Sequence, residues 1–473
     1  MACVRGADPL VCEVGALGKH LVLIGFMGAG KSTVGRRVAL LTERSFADTD
    51  EEIERLHGPI PALFERGEPE FRQVEEAVVA AALREPEPGV IALGGGAVLS
   101  EATRRLLRRR ALTVWLQVDP GTAWERVRGA DRPLAKEESA FRRLYEERVP
   151  VYADVAEASA TDVEDVLLAG LAVTLVDSST AVGVRADALV ADERVLGLHP
   201  LDLGCKTYPV PAGEAAKRVD VVRALWEALE LDRGATLVAY GGGTTTDVAG
   251  FVAASYKRGV SWIAWPTTLV GQVDAAIGGK TGIDLDTGKN LVGAFHYPAQ
   301  VLIDPELLKT LPDDERRAGM AEVVKTGLLA GRPLWELADE EMVRACAAFK
   351  AAVCLADPFE QTGRRAILNL GHTFAHALEA ASGFQLRHGD AVALGLLAAL
   401  RLSGLETDIV DELLRPEPIP VDGDRAWAAL RQDKKAVDGR ARLVLLEEIG
   451  KPIFPVELPD EDIRRELDAL IAK

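Results

Sequence analysis

A glycine-rich loop near the beginning of the chain constrains the fold more than any other feature of the sequence. The run Gly25-Phe26-Met27-Gly28-Ala29-Gly30-Lys31-Ser32-Thr33 fits the pattern GxxxxGK[ST] between an apolar run, Leu21–Gly25, and a helical pattern. Glycines let backbone N–H groups turn toward phosphate oxygens, the lysine neutralises phosphate charge, and the serine hydroxyl can bind Mg²⁺. The loop therefore predicts a nucleoside triphosphate site that includes Gly28, Ala29, Gly30, Lys31, Ser32 and Thr33.

Apolar runs separated by helical patterns predict that the chain is an α/β protein with parallel sheets. Further strand candidates are the runs at 90–93, 112–118, 172–176, 235–240 and 262–265, and an extended segment is expected at 443–446. Between Pro305 and about residue 432 the pattern is almost entirely helical. A chain of 473 residues is long enough for two or three domains, and we place the main boundary near residue 170. We expect a tail (1–19), an α/β domain (20–168), a second α/β region (169–303) and a mainly helical region (304–473).

Composition and charge narrow the classes of protein to which the chain can belong. A formal net charge of −18 argues against a protein that binds nucleic acid or anionic membranes. The five cysteines form no CxxC pair, which suits a reducing cytoplasm and argues against thiolate-held zinc. The first twenty residues lack a long apolar core, and the longest apolar stretch, Ala391–Leu400, is too short to span a bilayer. We interpret the basic segment Arg104–Arg110 as a solvated helix face, and we expect a cytoplasmic location.

Motifs that follow the loop indicate which molecule accepts the phosphoryl group. They are Phe46-Ala47-Asp48-Thr49-Asp50, Gly67-Glu68, Phe71-Arg72, Gly94-Gly95-Gly96, Arg132-Pro133-Leu134 and Glu147-Arg148-Val149-Pro150-Val151-Tyr152. Over residues 20–168 this set resembles shikimate kinase, a P-loop kinase. The resemblance implies that Asp48 and Ser32 position Mg²⁺ and that Arg132, on a mobile lid, contacts ATP and acts as a catalytic residue with Lys31. It also implies a shikimate site formed by Asp50, Arg72, Gly94, Gly95, Gly96 and Arg148.

The chemistry of phosphoryl transfer agrees with these assignments. The reaction depends on positioning and charge neutralisation, which Lys31, Mg²⁺ and Arg132 would supply. A planar guanidinium suits two-point binding of a carboxylate. A generic nucleotide kinase of the same fold is the alternative, but it lacks the combination of Asp50 with two carboxylate-binding arginines. The lid is short, so whether Arg126 or Arg128 contacts the nucleotide stays open.

A second set of polar motifs lies beyond residue 235. The triple glycine Gly241-Gly242-Gly243 follows an apolar run and precedes a helical pattern, which is a moderate indication of pyrophosphate binding. Glu322, His372 and His388 offer one carboxylate and two imidazoles, a ligand set suited to a catalytic Zn²⁺ with an open coordination position.

From about residue 170 to the C-terminus, the blocks at 240–296, 321–325 and 367–390 and the run Asp433-Lys434-Lys435 resemble 3-dehydroquinate synthase. The resemblance implies an α/β NAD-binding subdomain and a mainly helical subdomain in which Glu322, His372 and His388 bind Zn²⁺ or another divalent ion such as Co²⁺. The implied NAD-binding residues are Asp192, Glu214, Lys217, Gly242, Gly243, Asp247, Thr267, Thr268, Lys280 and Lys289. The implied catalytic residues are Asp274, Lys280, Lys325 and His376, and the implied substrate-binding residues are Arg258, Asn290, Lys350, Arg365, Asn369 and Lys434. In the family Arg258 reaches the substrate phosphate from a neighbouring subunit, which implies a homodimer.

The two resemblances together imply a bifunctional enzyme of aromatic amino-acid precursor synthesis. One half would phosphorylate shikimate with ATP. The other would convert 3-deoxy-D-arabino-heptulosonate 7-phosphate to 3-dehydroquinate and phosphate, and because NAD⁺ ends unchanged this half would be a lyase. Two alternatives stay open: a polyol dehydrogenase-like second half, against which the phosphate-binding set Lys280, Asn290 and Asn369 argues, and a half that has become a non-catalytic scaffold. The choices between Arg364 and Arg365 and between Lys434 and Lys435 also stay open.

Overall fold

The computed structural model describes residues 17–128, 137–177, 183–432 and 441–472, so the tail expected at residues 1–19 lies outside the described residues except for its last three. The chain divides into two compact units. The first contains the described residues up to Ala172 together with Ala351–Ala356, and the second contains Val173–Lys350 and Asp357–Lys473. The division falls close to the boundary that we place near residue 170.

The first unit is a parallel sheet of five strands with helices packed on it. The strand order is β2-β3-β1-β4-β5, and every pairing is parallel. The strands are β1 (His20–Ile24), β2 (Phe46–Asp48), β3 (Val90–Ala92), β4 (Ala111–Leu116) and β5 (Ala158–Ala160). The helices are α1 (Lys31–Leu41), α2 (Thr49–His57), α3 (Ile60–Arg66), α4 (Glu68–Ala82), α5 (Glu101–Arg110), α6 (Pro120–Val127), α7 (Glu138–Val155) and α8 (Val163–Gly170). All five residues of β1 are buried, as an apolar run at the centre of a parallel sheet requires.

The glycine loop joins β1 to α1, as the sequence predicts. Gly28 has φ +83°, and a Cβ there would come within 2.6 Å of the carbonyl oxygen of Ala123. Gly30, at φ +89°, directly precedes the first turn of α1. Both positions lie in the left-handed region where glycine is favoured, so the backbone can close around an anion at the helix N-terminus.

The second unit is built on a parallel sheet of six strands in the order β6-β13-β10-β9-β7-β8. These strands are β6 (Val173–Leu175), β7 (Ala188–Asp192), β8 (Lys206–Val210), β9 (Thr236–Gly241), β10 (Ser261–Pro266) and β13 (Gln300–Ile303). Antiparallel pairs are formed by β11 (Lys280–Leu285) with β12 (Gly288–Phe295) and by β14 (Leu443–Glu448) with β15 (Lys451–Val456). The helices are α9 (Glu193–Leu198), α10 (Val219–Ala228), α11 (Gly243–Ser255), α12 (Asp313–Ala330), α13 (Asp339–Ala356, of which Ala351–Ala356 belong to the first unit), α14 (His372–Ala381), α15 (His388–Leu402), α16 (Asp408–Leu413), α17 (Gly423–Arg431) and α18 (Asp460–Ala469).

Helix α15 is the centre of the helical part of this unit. Its residues from Ala391 to Leu400 are all buried, and they belong to a core cluster with residues of α12, α14, α17 and α18. Burial by neighbouring helices explains why the longest apolar stretch of the sequence is apolar on every face. Among the described residues, the structure contains no helix with the length and apolar character needed to cross a membrane.

Helix α5 carries the arginine-rich segment. Leu107 is buried, whereas Arg108, Arg109 and Arg110 are exposed in the last turn, where positive charge interacts favourably with the helix dipole. The interpretation of this segment as a solvated helix face is therefore confirmed.

Candidate functional site

Lys31 and Ser32 lie at the beginning of α1, where the loop delivers them. The Lys31 ammonium group donates to the carbonyl oxygens of Gly25 (2.9 Å) and Phe26 (3.1 Å), which folds the side chain back over the loop. The Ser32 hydroxyl donates to Oδ2 of Asp48 at 2.5 Å. The other oxygen of Asp48 accepts from the backbone N–H of Asp50 at 3.0 Å and caps α2. A hydroxyl beside a carboxylate at a phosphate loop is an oxygen-rich arrangement that fits Mg²⁺.

A cavity of about 350 Å³ adjoins this loop and brings together all six residues expected to bind shikimate. The cavity is lined by residues of the loop, of α2 to α4, of the glycine turn after β3 and of α7; among them are Ser32, Asp48, Asp50, Arg72, Gly94, Gly95, Gly96 and Arg148. A Cβ at Gly94 would lie 2.5 Å from Oδ1 of Asp50, and one at Gly96 would lie 2.3 Å from a guanidinium nitrogen of Arg72. Glycine at these positions therefore lets two charged side chains pass close to the backbone.

Arg72 is held by two carboxylates on its own helix, α4. It contacts Glu75 at 2.6 Å and Glu68 at 3.0 Å, and its guanidinium lies 5.1 Å from the ring centroid of Phe71. Glu75 is almost fully buried, and burial raises its pKa although Arg72 acts in the opposite direction. Sequence analysis missed Glu75, whose only signal is its position three residues after Arg72 on a helix.

Arg148 and Tyr152, on α7, both bond the same backbone carbonyl across the cavity. Arg148 donates to the oxygen of Gly95 at 3.2 Å, and the Tyr152 hydroxyl donates to it at 2.7 Å. Burial raises the pKa of Tyr152, so its hydroxyl stays protonated and acts as a donor. Arg148 is therefore anchored beside Gly95 with part of its guanidinium facing the cavity.

The structure separates the two arginines near the lid. Arg126 donates to the carbonyl oxygen of Gly28 at 3.0 Å and so lies on the phosphate loop. Arg128 instead forms an exposed pair with Glu125 at 2.5 Å. The geometry favours Arg126 as the residue beside a bound nucleotide. Arg132 lies outside the described residues.

In the second unit, the triple glycine joins β9 to α11. Gly241 has φ +159°, and a Cβ at Gly242 would lie 3.1 Å from a methyl carbon of Thr268. The hydroxyls of Thr245 and Thr267 are buried close to this turn without a hydrogen-bond partner. Buried hydroxyls without partners are costly, so their presence at a glycine turn fits a polar ligand such as a dinucleotide. Asp192, at the carboxyl end of β7, is buried and caps α9.

Lys217 connects Asp247, expected to bind NAD, with Asn290, expected to bind substrate. It lies 2.7 Å from Oδ2 of Asp247 and also donates to the side-chain oxygen of Asn290. Burial would lower the pKa of Lys217, but the charge of Asp247 raises it. Lys289 lies 3.1 Å from Glu214 at the rim of the same region.

The expected metal ligands converge. Glu322 comes from α12, His372 from the first turn of α14 and His388 from the first turn of α15, and their ligand atoms all lie within 4.8 Å of one another. Oε1 of Glu322 lies 3.2 Å from Nε2 of His388 and 3.5 Å from Nε2 of His372. One carboxylate and two imidazoles at this spacing fit a catalytic divalent metal such as Zn²⁺. His376 lies next to this cluster, with its ring centroid 5.5 Å from that of His372.

A buried network of opposite charges continues from the metal ligands. Lys325 is ion-paired with Glu322 and lies 3.6 Å from Oδ2 of Asp274, and Lys350 bonds both the other oxygen and the backbone carbonyl of Asp274. Burial would raise the pKa of Glu322, but Lys325 and the two histidines hold it well below its usual range. Both Lys325 and Glu322 are almost completely buried, so each charge depends on the other.

Lys280 and Arg365 lie in a basic region of the second unit. Lys280 pairs with Glu360, and its pKa is lowered by burial and by the charges of Arg365 and Lys350. Arg365 is buried and donates to the carbonyl oxygens of Gly278 (2.7 Å) and Pro358 (3.0 Å), whereas Arg364 is only half-buried. Convergent cations of this kind attract an anion such as a phosphate group.

Two other residues expected to bind substrate, Asn369 and Arg258, lie outside this basic region. The Asn369 amide donates to the carbonyl oxygen of Ala366 at 3.1 Å. Arg258 is exposed on a turn after α11, with φ +67°. Lys434 and Lys435 lie outside the described residues.

Sequence analysis missed one acidic residue next to the metal ligands. Oε1 of Glu379 lies 3.4 Å from Nδ1 of His388. Burial would raise the pKa of Glu379, but His388 lowers it. A signal existed in the sequence, because Glu379 is seven residues after His372 and therefore on the same face of α14.

Comparisons with known families divide the chain in the same way. The model of shikimate kinase matches residues 27–167. The models of the N-terminal and C-terminal parts of 3-dehydroquinate synthase match residues 207–318 and 319–436.

Two relatives illustrate the extent of the similarity. A bifunctional shikimate kinase/3-dehydroquinate synthase of Thermotoga maritima is 35% identical, and the alignment covers 93% of this chain and 99% of the relative. A 3-dehydroquinate synthase of Pseudomonas aeruginosa is 41% identical over 60% of this chain and 89% of the relative.

Solved structures extend the similarity to the fold of the second unit. A 2-epi-5-epi-valiolone synthase of Streptomyces hygroscopicus with bound NAD⁺ and Zn²⁺ matches with a TM-score of 0.52 and 25% identity, covering 63% of this chain and 96% of that chain. A 2-deoxy-scyllo-inosose synthase matches with a TM-score of 0.55 and 24% identity over 63% of this chain and 96% of that chain, which shows a shared fold.

Proposed function

Because the chain belongs to the family of bifunctional shikimate kinase/3-dehydroquinate synthases, which combine a kinase with a lyase of the shikimate pathway, we propose the reaction that each unit carries out. The first unit transfers the γ-phosphoryl group of ATP to a hydroxyl of shikimate and releases ADP. The second unit converts 3-deoxy-D-arabino-heptulosonate 7-phosphate to 3-dehydroquinate and inorganic phosphate. A polyol dehydrogenase-like second half is the weaker proposal, because it would have no use for the basic region around Lys280.

One observation carries the kinase proposal: a single cavity joins the phosphate loop to two arginines and a carboxylate. Arg72 and Arg148 enter this cavity from different helices, so together they can bind the carboxylate of shikimate from two directions. Asp50, beside the Gly94 backbone, can accept hydrogen bonds from the hydroxyl groups of the ring. Lys31 would exchange its carbonyl partners for phosphate oxygens, and the Ser32–Asp48 pair would hold Mg²⁺ that arrives with ATP.

The convergence of Glu322, His372 and His388 carries the lyase proposal. NAD⁺ would supply reversible hydride transfer and a divalent metal would supply Lewis acidity, a pair of groups that the valiolone synthase structure also holds. Lys280 and Arg365 would bind the phosphate that leaves. Asp274, Lys325 and Lys350 form ion pairs in a buried network and so fix the cationic groups in place before substrate arrives.

A second copy of the chain is part of this proposal. Arg258 is exposed on a left-handed turn rather than buried in its own unit. In a homodimer it can reach the substrate phosphate of the neighbouring subunit, as the family resemblance implies. A mixture of Arg258→Ala and Lys280→Ala chains should then recover part of the synthase activity that each variant alone lacks, because one mixed active site keeps both residues.

Metal dependence separates the two activities in one sample of the full chain. A tight chelator should abolish phosphate release from the heptulosonate phosphate, and added Zn²⁺ or Co²⁺ should restore it. Kinase activity should return with excess Mg²⁺ alone, since ATP and Ser32 recruit that ion. Persistent loss of both activities after Mg²⁺ is restored would contradict the assignment of separate metals to the two units.

A further inference from the structure

A buried carboxylate lies behind one of the expected metal ligands. The side chain of Glu379 is 5% exposed, and its Oε1 lies 3.4 Å from Nδ1 of His388. The other ring nitrogen of His388, Nε2, lies 3.2 Å from Glu322. The imidazole is therefore held between two carboxylates, one on each nitrogen.

The two nitrogens of His388 face different surroundings. Nε2 points toward Glu322, where Nε2 of His372 also converges, so this side is the one that can bind a metal. Nδ1 faces Glu379 and cannot reach the same point. His372 differs, since its Nδ1 lies 3.2 Å from the backbone carbonyl oxygen of Leu370.

General metalloprotein chemistry gives this arrangement a consequence. A histidine that binds metal through one nitrogen commonly donates the N–H of the other to a carboxylate or carbonyl, which fixes its tautomer and orientation and increases its basicity. A carboxylate does this more strongly than a carbonyl oxygen because it carries a negative charge.

We propose that Glu379 is a positioning residue of the metal site, which accepts the Nδ1–H of His388 and thereby directs the electron pair of Nε2 toward the metal. The inference deepens the proposed metal site and rests on the proposed function. Glu379 also lies 3.8 Å from Lys289, whose ammonium contacts Glu214 at 3.1 Å. This carboxylate therefore lies between a metal ligand and a lysine expected to bind NAD.

The test measures metal binding rather than turnover. Full-length protein is stripped of metal and titrated with Zn²⁺ against a chelator of known affinity, and the visible absorption of the Co²⁺ form reports ligand geometry. Glu379→Gln keeps the shape but removes the charge, and we expect its affinity for Zn²⁺ to fall about 10- to 100-fold with an altered Co²⁺ spectrum. Asp390→Asn is the matched control, because Asp390 lies near His388 but contacts the exposed Arg317 at 3.8 Å; its affinity and spectrum should equal those of the parent.

The outcomes are distinguishable. A parent chain that binds no Zn²⁺ would reject the proposed metal site itself. A parent that binds Zn²⁺ and a Glu379→Gln variant with the same affinity and Co²⁺ spectrum would overturn only the role of Glu379. If circular dichroism or denaturant unfolding shows that Glu379→Gln is misfolded, Glu379→Asp decides: weaker Zn²⁺ binding than the parent supports the proposal, and parental affinity overturns it.

Discussion

The two active-site regions handle charge in different ways. In the first unit, Ser32, Asp50, Arg72 and Arg148 line an open cavity, and backbone carbonyl groups accept hydrogen bonds from Arg148 and from the neighbouring Lys31. In the second unit, the charged residues form a buried network with one another, and Lys325 and Glu322 are 2% and 0% exposed.

The difference follows from what each site must bind. ATP, Mg²⁺ and shikimate bring their own charges to the kinase cavity, where Arg72 has carboxylate partners on its own helix but Arg148 donates to a backbone carbonyl. The synthase site must hold a metal, a dinucleotide and a phosphorylated sugar acid in one place, and its residues neutralise one another beforehand. Substitutions in the first site should therefore affect activity, whereas those in the second should affect both activity and stability.

The largest expected effect is a reciprocal loss of activity. Lys31→Ala should lower phosphoryl transfer at least about 10²–10³-fold, since it removes a cationic donor aimed at developing charge. Its synthase turnover should stay close to that of the parent. His372→Ala should abolish phosphate release and leave kinase turnover nearly unchanged. Paired assays on the same preparations measure both, and a variant that loses both activities would mean that the two sites are not independent.

The two sites should also differ in how far a substitution lowers the free energy of unfolding. Lys325→Met leaves Glu322 and Asp274 without their shared buried cation, and breaking such a pair costs about 3–5 kcal/mol of unfolding free energy. Ser32→Ala, in the half-buried kinase loop, should cost no more than about 1 kcal/mol. Denaturant unfolding of the metal-free chains compares the two. If both substitutions lowered the free energy of unfolding equally, the charges of the synthase site would not depend on one another more than those of the kinase site do.

Arg72→Lys should have an intermediate effect that is confined to substrate binding. A lysine keeps the charge but cannot form two parallel hydrogen bonds to a carboxylate, so the KM for shikimate should rise about tenfold while kcat changes little. Steady-state kinetics with ATP held at saturation measures the change. An unchanged KM would show that Arg72 does not bind the carboxylate and serves only its helix partners Glu68 and Glu75.

Motifs made of consecutive residues could be placed from the sequence with the right surroundings. The glycine loop lies between a buried strand and a helix, as predicted, because its chemistry depends on backbone conformations that glycine encodes locally. The strands predicted at 90–93, 112–118 and 235–240 are present as β3, β4 and β9. Strands β7 and β8 were missed, and β8 contains Pro209, which an edge strand tolerates.

Side-chain contacts that form only when distant segments pack together were harder to predict. Glu75 and Glu379 look like ordinary helical glutamates in the sequence, and only the packing of α4 against the glycine turn and of α14 against α15 gives them a role. No hairpin is predicted from the sequence in the block at 240–296, whereas the structure forms the hairpin of β11 and β12 within it. Hydrophobic periodicity carries little information about such a polar hairpin.

The smallest expected effect concerns Glu75, the one carboxylate of the kinase cavity that is buried as deeply as the synthase network. Burial raises the pKa of Glu75, so folding favours the protonated carboxyl group. The protonated group therefore contributes its full stability below the pKa of the unfolded chain. That contribution is lost as pH rises through the pKa of the folded chain. Glu75→Gln cannot ionise, so its free energy of unfolding relative to the parent should improve steadily from about pH 4 toward neutrality. Denaturant unfolding across this range measures the trend, and Glu68→Gln, which removes the exposed carboxylate on the same arginine, should show a smaller one. If the stability of Glu75→Gln relative to the parent fell as pH rises, Arg72 would lower the pKa of Glu75 more than burial raises it. The Arg72–Glu75 pair would then resemble the buried ion pairs of the synthase site.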